Sequence, residues 1–266
     1  MNQNEGSMFA EERKELIVET VNKNVKSTVA QLCERFSVSP ATIRNDLREL
    51  ELAGRLKRTH GGAISNRRVT FEPDSYQKEI ECIEQKQQIA EMAAVYVHEG
   101  DTIALDTGTT TFQLAKLLVN IEDLTVVTND LQIAAFLEKN GKANIIMAGG
   151  AVRRNFHCTA GQKALDTIGD LNVDKAFLGA NGVSLSRGLS TPNIDTANVK
   201  TAITEISDQI ILLADSSKFG KNSFVKFADL DQVDILITDK GADEDMLHEI
   251  RQMGIITEIS AKNDKK

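Results

Sequence analysis

The stretch "LDTGTTTFQLA" at 105–115 contains residue types whose order could serve catalysis or ligand binding. An aspartic protease holds its catalytic carboxylate in such an Asp-Thr-Gly triplet, and a glycine followed by threonines can hold a phosphate. The same letters also fit an ordinary strand-to-helix turn whose threonines cap the helix. The surrounding sequence has to decide among these three interpretations.

The protease interpretation fails because an aspartic protease needs a second such carboxylate from another half or subunit. No second Asp-Thr-Gly occurs in the chain. A nucleotide P-loop and a dinucleotide fingerprint are also excluded, because the sequence has neither Gly-Lys-Ser/Thr nor G-x-G-x-x-G. We therefore expect this stretch to bind a ligand and not to hydrolyse a peptide.

Phosphate binding fits the loop better. Gly108 allows close approach of the backbone, and Thr109, Thr110 and Thr111 stand at the predicted start of a helix. Free N–H groups, hydroxyls and the positive end of the helix dipole would converge there on one anion. The loop itself contains no cation, so a basic side chain must come from another part of the chain.

Charged groups for such a ligand are expected from other segments. Lys218 in "DSSKF" is the first choice for the cation, and Lys86, at the start of a preceding helix, is the second. The carboxylates of Asp106 and Asp215 would accept hydrogen bonds from sugar hydroxyls.

A second set of side chains suited to ligand binding lies on the predicted helix "PATIRNDLRELELAG". Ser39 is expected to be its N-cap, Pro40 its first residue and Gly54 its stop. Apolar residues at i, i+4 and i+7 should face the core, so the opposite face presents Ala41, Arg44, Asn45 and Arg48. These groups can pair with guanine, adenine, phosphate and the thymine methyl in a major groove.

The neighbouring elements suit a DNA-binding unit. Two helices are predicted before this one, at roughly 9–22 with Phe9 on the inward side, and over "STVAQLCERF" with Ser27 as N-cap. Short helices joined by a tight turn indicate a helix-turn-helix. After the third helix, "GRLKRTHGGAIS" predicts a β-hairpin, or wing, along which the DNA phosphates would meet Lys57, Arg58 and His60.

Composition bounds the class of protein. The 266 residues carry a net charge of −8, yet residues 1–68 hold 12 Lys and Arg against 9 Asp and Glu. A locally basic part of an acidic protein suggests a polyanionic partner. Apolar runs fall short of the ~20 residues of a membrane helix, and the N-terminus has no targeting pattern. With three scattered cysteines, we expect a cytoplasmic protein with no metal and no cofactor.

From residue 101 onward, short apolar runs alternate with amphipathic stretches. Seven runs are strand-like, at 102–106, 124–128, 144–148, 175–179, 209–214, 234–238 and 255–259. The alternation predicts an α/β domain with a mostly parallel sheet, in which ligands bind beyond the carboxyl ends of the strands. Besides the first loop, the candidate residues at those ends are Thr128, Asn129, Gly149, Gly150 and Asn181.

The segment "FSVSPATIRNDLRELELAGRLKRTHGGA" at 36–63 resembles the DNA-binding segment of DeoR-family transcriptional regulators. That family is typified by a V-S-x-x-T-I-R-x-D-L core, a basic stretch and H-G-G. Ser39 and Thr42 join the expected DNA contacts on this basis. Asp46, also at a motif position, falls near the buried edge of the helix, so we expect it to be structural and to pair with an arginine.

The second half resembles the effector domain of the same family, from "GDTIALDTGTTT" through "LLADSSKFG". The resemblance implies a sensor of phosphorylated sugars with a fold similar to ribose-5-phosphate isomerases. Those enzymes carry an acidic D-G-A-D-E segment where this chain reads "LGANG" at 178–182. Because isomerisation needs a base, we expect a sensor without catalytic residues. The alternative is a sugar-phosphate enzyme with a DNA-binding head.

These patterns together predict a winged helix-turn-helix at 1–65, a linker at 66–80 and an α/β sensing and oligomerisation domain at 81–266. The expected function is a repressor of a carbohydrate-metabolism operon, whose binding to operator double-stranded DNA responds to a phosphorylated sugar. Because a single head covers little DNA, we expect a homo-oligomer, either a dimer or a tetramer.

Overall fold

Separate sets of buried apolar side chains lie in the two units of the chain, Met1–Arg68 and Val69–Lys266. The computed structural model describes residues 9–24, 26–53, 55–65 and 72–260. The predicted helix stop at Gly54 and the predicted linker residues 66–71 lie outside the described residues.

In its described residues, the first unit contains three helices and three short strands. They are α1 (Ala10–Asn24), β1 (Lys26–Thr28), α2 (Val29–Phe36), α3 (Pro40–Leu52), β2 (Leu56–Thr59) and β3 (Gly62–Ser65). The strands form an antiparallel sheet in the order β1-β3-β2. The predicted helix order and the hairpin after α3 are confirmed, and β1 adds a strand that periodicity does not predict.

Two details at helix ends differ from the prediction. The N-cap of α2 is Thr28, whose hydroxyl accepts a hydrogen bond from the Gln31 N–H at 3.2 Å in a capping box. Ser27 cannot serve as the cap, because it pairs with Ala63 between β1 and β3. Phe9 is 82% exposed and not inward-facing, because it precedes α1.

The second unit alternates helices and strands, as predicted. Among its described helices, none is long and apolar enough to cross a membrane. Its elements are α4 (Ser75–Ile80), α5 (Ile83–Ala94), β4 (Thr102–Leu105), α6 (Thr109–Leu117), β5 (Thr125–Thr128), α7 (Leu131–Asn140), β6 (Asn144–Met147), β7 (Ala151–Arg153), β8 (Cys158–Ala160), α8 (Gln162–Gly169), β9 (Val173–Gly179), β10 (Gly182–Ser184), β11 (Gly188–Thr191), α9 (Ile194–Glu205), β12 (Ser207–Leu213), β13 (Val225–Ala228), β14 (Ile235–Asp239), α10 (Glu244–Gln252) and β15 (Ile256–Ser260).

All seven predicted strands pair in parallel in one sheet, in the order β15-β14-β12-β9-β4-β5-β6. Ile103 and Leu105 of β4 belong to one apolar cluster, and Ala104 between them belongs to another. Alternate side chains point to opposite faces of a sheet, so both faces of β4 are covered. Strands covered on both faces appear in a sequence as continuous apolar runs, which made these strands predictable.

Several short elements of the second unit are not predicted by periodicity. β7 pairs with β8, and β10, β11 and β13 form a separate antiparallel sheet. Strands of three or four residues are too short to show a period. Residues 75–80, which belong to the predicted linker, form α4, and Asp74 caps this helix by accepting from the Gln77 N–H at 2.8 Å.

Candidate functional sites

The exposed face of α3 carries the side chains that the sequence assigns to DNA. The buried side of this helix is formed by Ile43, Asp46, Leu47 and Leu50. The exposed side carries Ala41, Arg44, Asn45 and Arg48. Together with Arg58 of β2, these four residues line a shallow, open depression. Three guanidinium groups and an amide on one open surface offer the donors that phosphates and guanine edges accept.

Polar contacts fix the orientation of part of this surface. Arg48 donates to Asn45 Oδ1 at 2.8 Å, and Asn45 Nδ2 donates to Glu49 Oε1 at 2.9 Å. Lys14 of α1 lies 2.6 Å from the other carboxylate oxygen of Glu49. The amide of Asn45 is therefore held between a cation and a carboxylate, next to the exposed Arg44.

Asp46 lies beneath this surface and holds two helices together. Its carboxylate accepts from Arg13 Nε at 2.7 Å and from Arg13 Nη2 at 3.2 Å. Both side chains are almost completely buried, and the hydrogen bond to Asp46 raises the pKa of the Arg13 guanidinium. The pair links α1 to α3, which agrees with the predicted structural role and arginine partner.

The remaining predicted DNA contacts lie at the start of α3 and on the hairpin. Ser39 Oγ accepts from the Thr42 N–H at 3.1 Å, so the predicted N-cap is confirmed. Lys57 and His60 are exposed on the hairpin, and the Arg58 N–H donates to a glutamate at the end of α3 at 2.9 Å. The fold brings Arg58 to the surface of α3. Contact with DNA stays a prediction for each of the nine residues that the sequence assigns to it, four on the outer face of α3, two at its start and three on the hairpin.

In the second unit, a cavity lies at the carboxyl ends of β4 and β9, where α6 begins. Side chains from α4, β7 and α9 complete its wall. It is lined by Glu72, Ser75, Lys78, Thr107, Gly108, Thr109, Arg153, Phe156, Cys158, Asn181, Thr191, Thr196 and Lys200. The position agrees with the general rule for ligand sites in parallel sheets.

The start of α6 offers backbone donors to this cavity. Gly108 is the N-cap and has no side chain that could accept a hydrogen bond from the first turn. The first backbone N–H groups of α6 can therefore donate to a ligand or to water. The Thr111 hydroxyl donates to the carbonyls of Asp106 and Gly108 at 2.7 and 2.8 Å. Thr110 and Thr111 are buried and do not belong to the cavity lining, so a contact of their hydroxyls with a ligand stays a prediction.

The cation next to this loop is Lys200 of α9. Its ammonium group pairs with the carboxylate of Asp106 and donates to the Gly179 carbonyl at 2.9 Å. Asp106 is fully buried and also accepts from the Gly179 N–H at 3.0 Å. Its Oδ1 has no hydrogen-bond partner among the described residues. Asp106, predicted to bind sugar hydroxyls, is therefore first of all the counter-ion of Lys200.

Two further cations, Lys78 of α4 and Arg153 of β7, face the cavity and share one carboxylate. Glu72 accepts from Lys78 Nζ at 2.8 Å and from Arg153 Nη2 at 2.9 Å. Arg153 also lies 4.2 Å from the ring centre of Phe156 and donates to the Thr196 hydroxyl at 2.7 Å. Although burial opposes it, the two cations hold the pKa of Glu72 below its ordinary value, whereas burial lowers the pKa of Lys78.

The two lysines predicted to supply the cation do not line the cavity. Lys86 donates to the carbonyl of Glu81 at 2.6 Å and to that of Lys78, so it caps the end of α4. Lys218 lies 3.5 Å from Asp215, whose carboxylate caps a short 3-10 turn. Lys218 follows a strand end and Lys86 lies in the first turn of α5, and neither position in the sequence reveals the direction in which the side chain points.

Most other predicted ligand contacts support the loops around the cavity. Thr128 donates to a carbonyl of β4 at 2.7 Å, and Asn129 donates to a carbonyl of β8 at 3.0 Å. Gly149 and Gly150 precede β7 and lie outside the cavity lining. The predicted effector residues that do line the cavity are Gly108, Thr109 and Asn181.

Sequence reasoning missed all four charged residues of this cavity, which are Glu72 and three cations, and two of the cations left a signal. Lys200 lies on the buried side of α9 between Ala197 and Ile203, and a lysine among buried positions of a helix indicates a buried cation. Arg153 belongs to the strand-end stretch "AGGAVRRN" but was not selected from it. Lys78 left no signal, because its segment shows no clear periodicity.

Comparison with known families identifies both units. A model of the DeoR-like helix-turn-helix domain matches residues 13–69, and a model of the DeoR C terminal sensor domain matches residues 81–240. The chain belongs to the DeoR family of transcriptional regulators. The HTH-type transcriptional regulator GlpR of Haloferax volcanii is 38% identical over 249 residues, which cover 93% of this chain and 97% of the relative. The putative aga operon transcriptional repressor of Escherichia coli O157:H7 is 34% identical over 247 residues, which cover 92% and 91%.

Likeness to solved structures is weaker. A D-ribose-5-phosphate isomerase in complex with phospho-erythronic acid is similar over 52% of this chain and 54% of its own, with 22% identity and a TM-score of 0.39. A likeness this low says nothing about ligands of the DeoR-family chain.

The protein is a DeoR-family regulator and not an enzyme, because these relatives are named as regulators and repressors. The segment 178–182 ends β9 at the cavity with an amide side chain, Asn181, and no carboxylate. Cys158 also lines the cavity, but burial raises the pKa of its thiol, which therefore stays protonated near neutral pH.

Proposed function

We propose that this DeoR-family protein is a repressor of a carbohydrate-metabolism operon, in which a phosphorylated sugar binds in the second unit and alters operator binding by the first. The observation that carries the proposal is the convergence of Lys78, Arg153 and Lys200 on the uncapped start of α6. Cations together with free amides at a helix N-terminus suit a phosphate group.

Uncharged polar groups of the same cavity suit the sugar part of the ligand. Asn181 accepts from the Thr191 hydroxyl at 3.0 Å, which orients its amide N–H₂ as a donor. The Thr107 hydroxyl donates to the carboxylate of Asp130 at 2.7 Å, so its oxygen keeps a lone pair for a sugar hydroxyl. An amide and a hydroxyl beside a phosphate site form the mixed set of contacts that a sugar phosphate requires.

Titration calorimetry with pentose phosphates, hexose phosphates, their unphosphorylated parents and inorganic phosphate tests this proposal. At least one sugar phosphate should bind more tightly than its unphosphorylated parent. Arg153→Gln should weaken that binding by roughly tenfold or more, because a hydrogen bond to a charged group contributes about 1.5–3 kcal/mol. Arg154→Gln, with an exposed side chain next in sequence, is the matched control and should bind normally.

Operator binding completes the test. Fluorescence anisotropy with operator DNA should give a different Kd when the sugar phosphate found by calorimetry is present at saturation. Absence of binding by every phosphorylated compound would contradict the ligand proposal and leave the second unit as an oligomerisation domain. Binding without any effect on the operator Kd would contradict the regulatory part.

A further inference from the structure

One carboxylate already occupies part of the cavity in which the phosphate is proposed to bind. Glu72 contacts both Lys78 Nζ at 2.8 Å and Arg153 Nη2 at 2.9 Å. Its side chain is 9% exposed, and it forms part of the cavity lining. The Glu72 carboxylate therefore takes the position between the two cations that a bound phosphate would also take.

Both cations are already engaged by Glu72 and by other groups of the cavity wall. Arg153 is fixed by the Thr196 hydroxyl and by its stacking on Phe156, and Lys78 Nζ lies 5.6 Å from the centre of the same ring. Because like charges repel strongly at short distance in a partly buried site, a phosphate and Glu72 would compete for these donors.

We propose that Glu72 is an internal competitor that holds Lys78 and Arg153 until the phosphate of the effector displaces it. The inference rests on the proposed function and adds its regulation. Glu72 lies close in sequence to Ser65, the last residue of β3 in the DNA-binding unit. Its release loosens the start of the second unit, which is the part of the chain nearest to the DNA-binding unit in sequence, and thereby changes operator binding.

The competitor also selects the class of ligand. A singly charged ligand that displaces the Glu72 carboxylate gives the two cations no more negative charge than they already had. A phosphate monoester carries −1.5 to −2 charges at pH 7 and three acceptor oxygens, so it replaces the lost contacts and adds one. Dianionic phosphate esters should therefore act as effectors, and neutral sugars or sugar carboxylates should not.

Glu72→Gln removes the competing charge with little change in shape. Its affinity for inorganic phosphate, measured by calorimetry, should exceed that of the wild type by roughly tenfold, because phosphate no longer has to displace a charged carboxylate from the two cations. Without phosphate, its operator Kd should already differ from that of the wild type, in the direction in which saturating phosphate shifts the wild type. Glu91→Gln removes an exposed acid of α5 and should change neither quantity.

Hydrogen exchange of the wild type supplies a test that does not depend on folding of the variant. The Ser75 N–H, three residues after Glu72 in sequence, donates to the Asn155 carbonyl at 3.0 Å. Saturating inorganic phosphate should speed exchange at the start of α4 if Glu72 is displaced. Slower or unchanged exchange in the phosphate-bound protein would overturn the inference.

The outcomes separate this inference from the proposed function on which it rests. Binding of phosphate with equal affinity by the wild type and Glu72→Gln would overturn the competitor and leave the phosphate site intact. No binding of phosphate or any sugar phosphate by either protein would overturn both. Tighter binding by Glu72→Gln, together with faster exchange in the wild type, is the result expected.

Discussion

Individual charged side chains of this protein divide between buried ion pairs and exposed positions. In the first unit, Asp46 and Arg13 are buried as a pair, whereas Arg44 on the same helix as Asp46 is exposed. In the second unit, Lys200 has a buried partner, Asp106, at the edge of the cavity. On α3, the face of the helix that carries a charged side chain therefore decides whether the side chain is buried in an ion pair or exposed.

Asp46→Ala should destabilise the first unit strongly. It leaves the Arg13 guanidinium buried without its carboxylate, and breaking a buried ion pair costs about 3–5 kcal/mol. Urea unfolding of the full-length protein measures this loss of the free energy of unfolding. Glu34→Ala, at an exposed position of α2, is the control and should have little effect. Equal stability of the two variants would contradict the role given to Asp46.

Arg44→Ala should weaken operator binding and leave the fold intact, because the side chain is exposed on the outer face of α3. A lost bidentate contact to a base costs about 1–3 kcal/mol, or roughly 5- to 150-fold in Kd. Anisotropy titration at fixed salt measures the effect. Arg187→Ala removes the same charge from an exposed position of the second unit and should bind normally. Unchanged binding by Arg44→Ala would remove α3 as the reading helix.

The ion pairs of Glu72 should make the free energy of unfolding fall as the pH becomes acidic. The pKa of Glu72 is lowered from its ordinary 4.5, so its contribution is fully present above that value and is lost as pH falls through the lowered pKa. The difference in unfolding free energy between wild type and Glu72→Gln should therefore be constant near neutral pH and shrink below about pH 4.5. Denaturant unfolding across pH 3–7 measures it. A difference independent of pH would contradict the ionised pairing.

At the scale of elements, the candidate site of each unit lies on one face or at one end of a helix, and neighbouring elements pack against that helix and fix its position. α3 is fixed by α1 beneath it and by β2 after it, and α6 starts directly beyond β4, an interior strand of the parallel sheet. The wing depends on a close backbone approach, since a Cβ at Gly62 would lie 2.1 Å from the Ser27 carbonyl oxygen of β1. Glycine at this position therefore lets β1 complete the sheet.

Gly62→Ala should disrupt the pairing of β1 with β3. Overpacking of this kind costs about 1–3 kcal/mol, and urea unfolding should register it together with weaker operator binding. Gly61→Ala is the matched control, because a Cβ at Gly61 meets nothing within 4 Å. A similar loss of stability in both variants would show that the turn itself, and not the approach of β1, requires glycine.

The whole molecule joins a helix-turn-helix unit to a unit that matches the DeoR sensor domain, and the size of the helix-turn-helix unit bears on how many copies bind an operator. A single winged helix covers about 600–1,000 Å² of DNA-facing surface, less than typical specific complexes bury. We therefore expect a homo-oligomer that places two copies of α3 on half-sites about one helical turn apart.

Sedimentation of the free protein should give a dimer or a tetramer at micromolar concentration. Footprinting should then reveal paired half-sites separated by a multiple of about 10 base pairs. A monomer that protects one isolated half-site with full affinity would contradict this expectation.

The sequence by itself determined the order of helices in the first unit, the seven strands of the parallel sheet and the α6 start at Gly108. It could do so because these features depend on local periodicity, on capping residues and on apolar runs that are covered from both sides. It also indicated the pairing of Asp46, since the helical wheel places this acid at a buried edge.

The tertiary structure alone decided which cations meet the α6 start. Lys78, Arg153 and Lys200 come from α4, β7 and α9, elements distant in sequence that the parallel sheet brings to one edge. Lys86 and Lys218 were the cations that the sequence suggested, but their side chains cap α4 and contact Asp215 instead. Long-range packing and the exit direction of each side chain are not encoded in a local pattern, so the charges of this cavity could be assigned only from the fold.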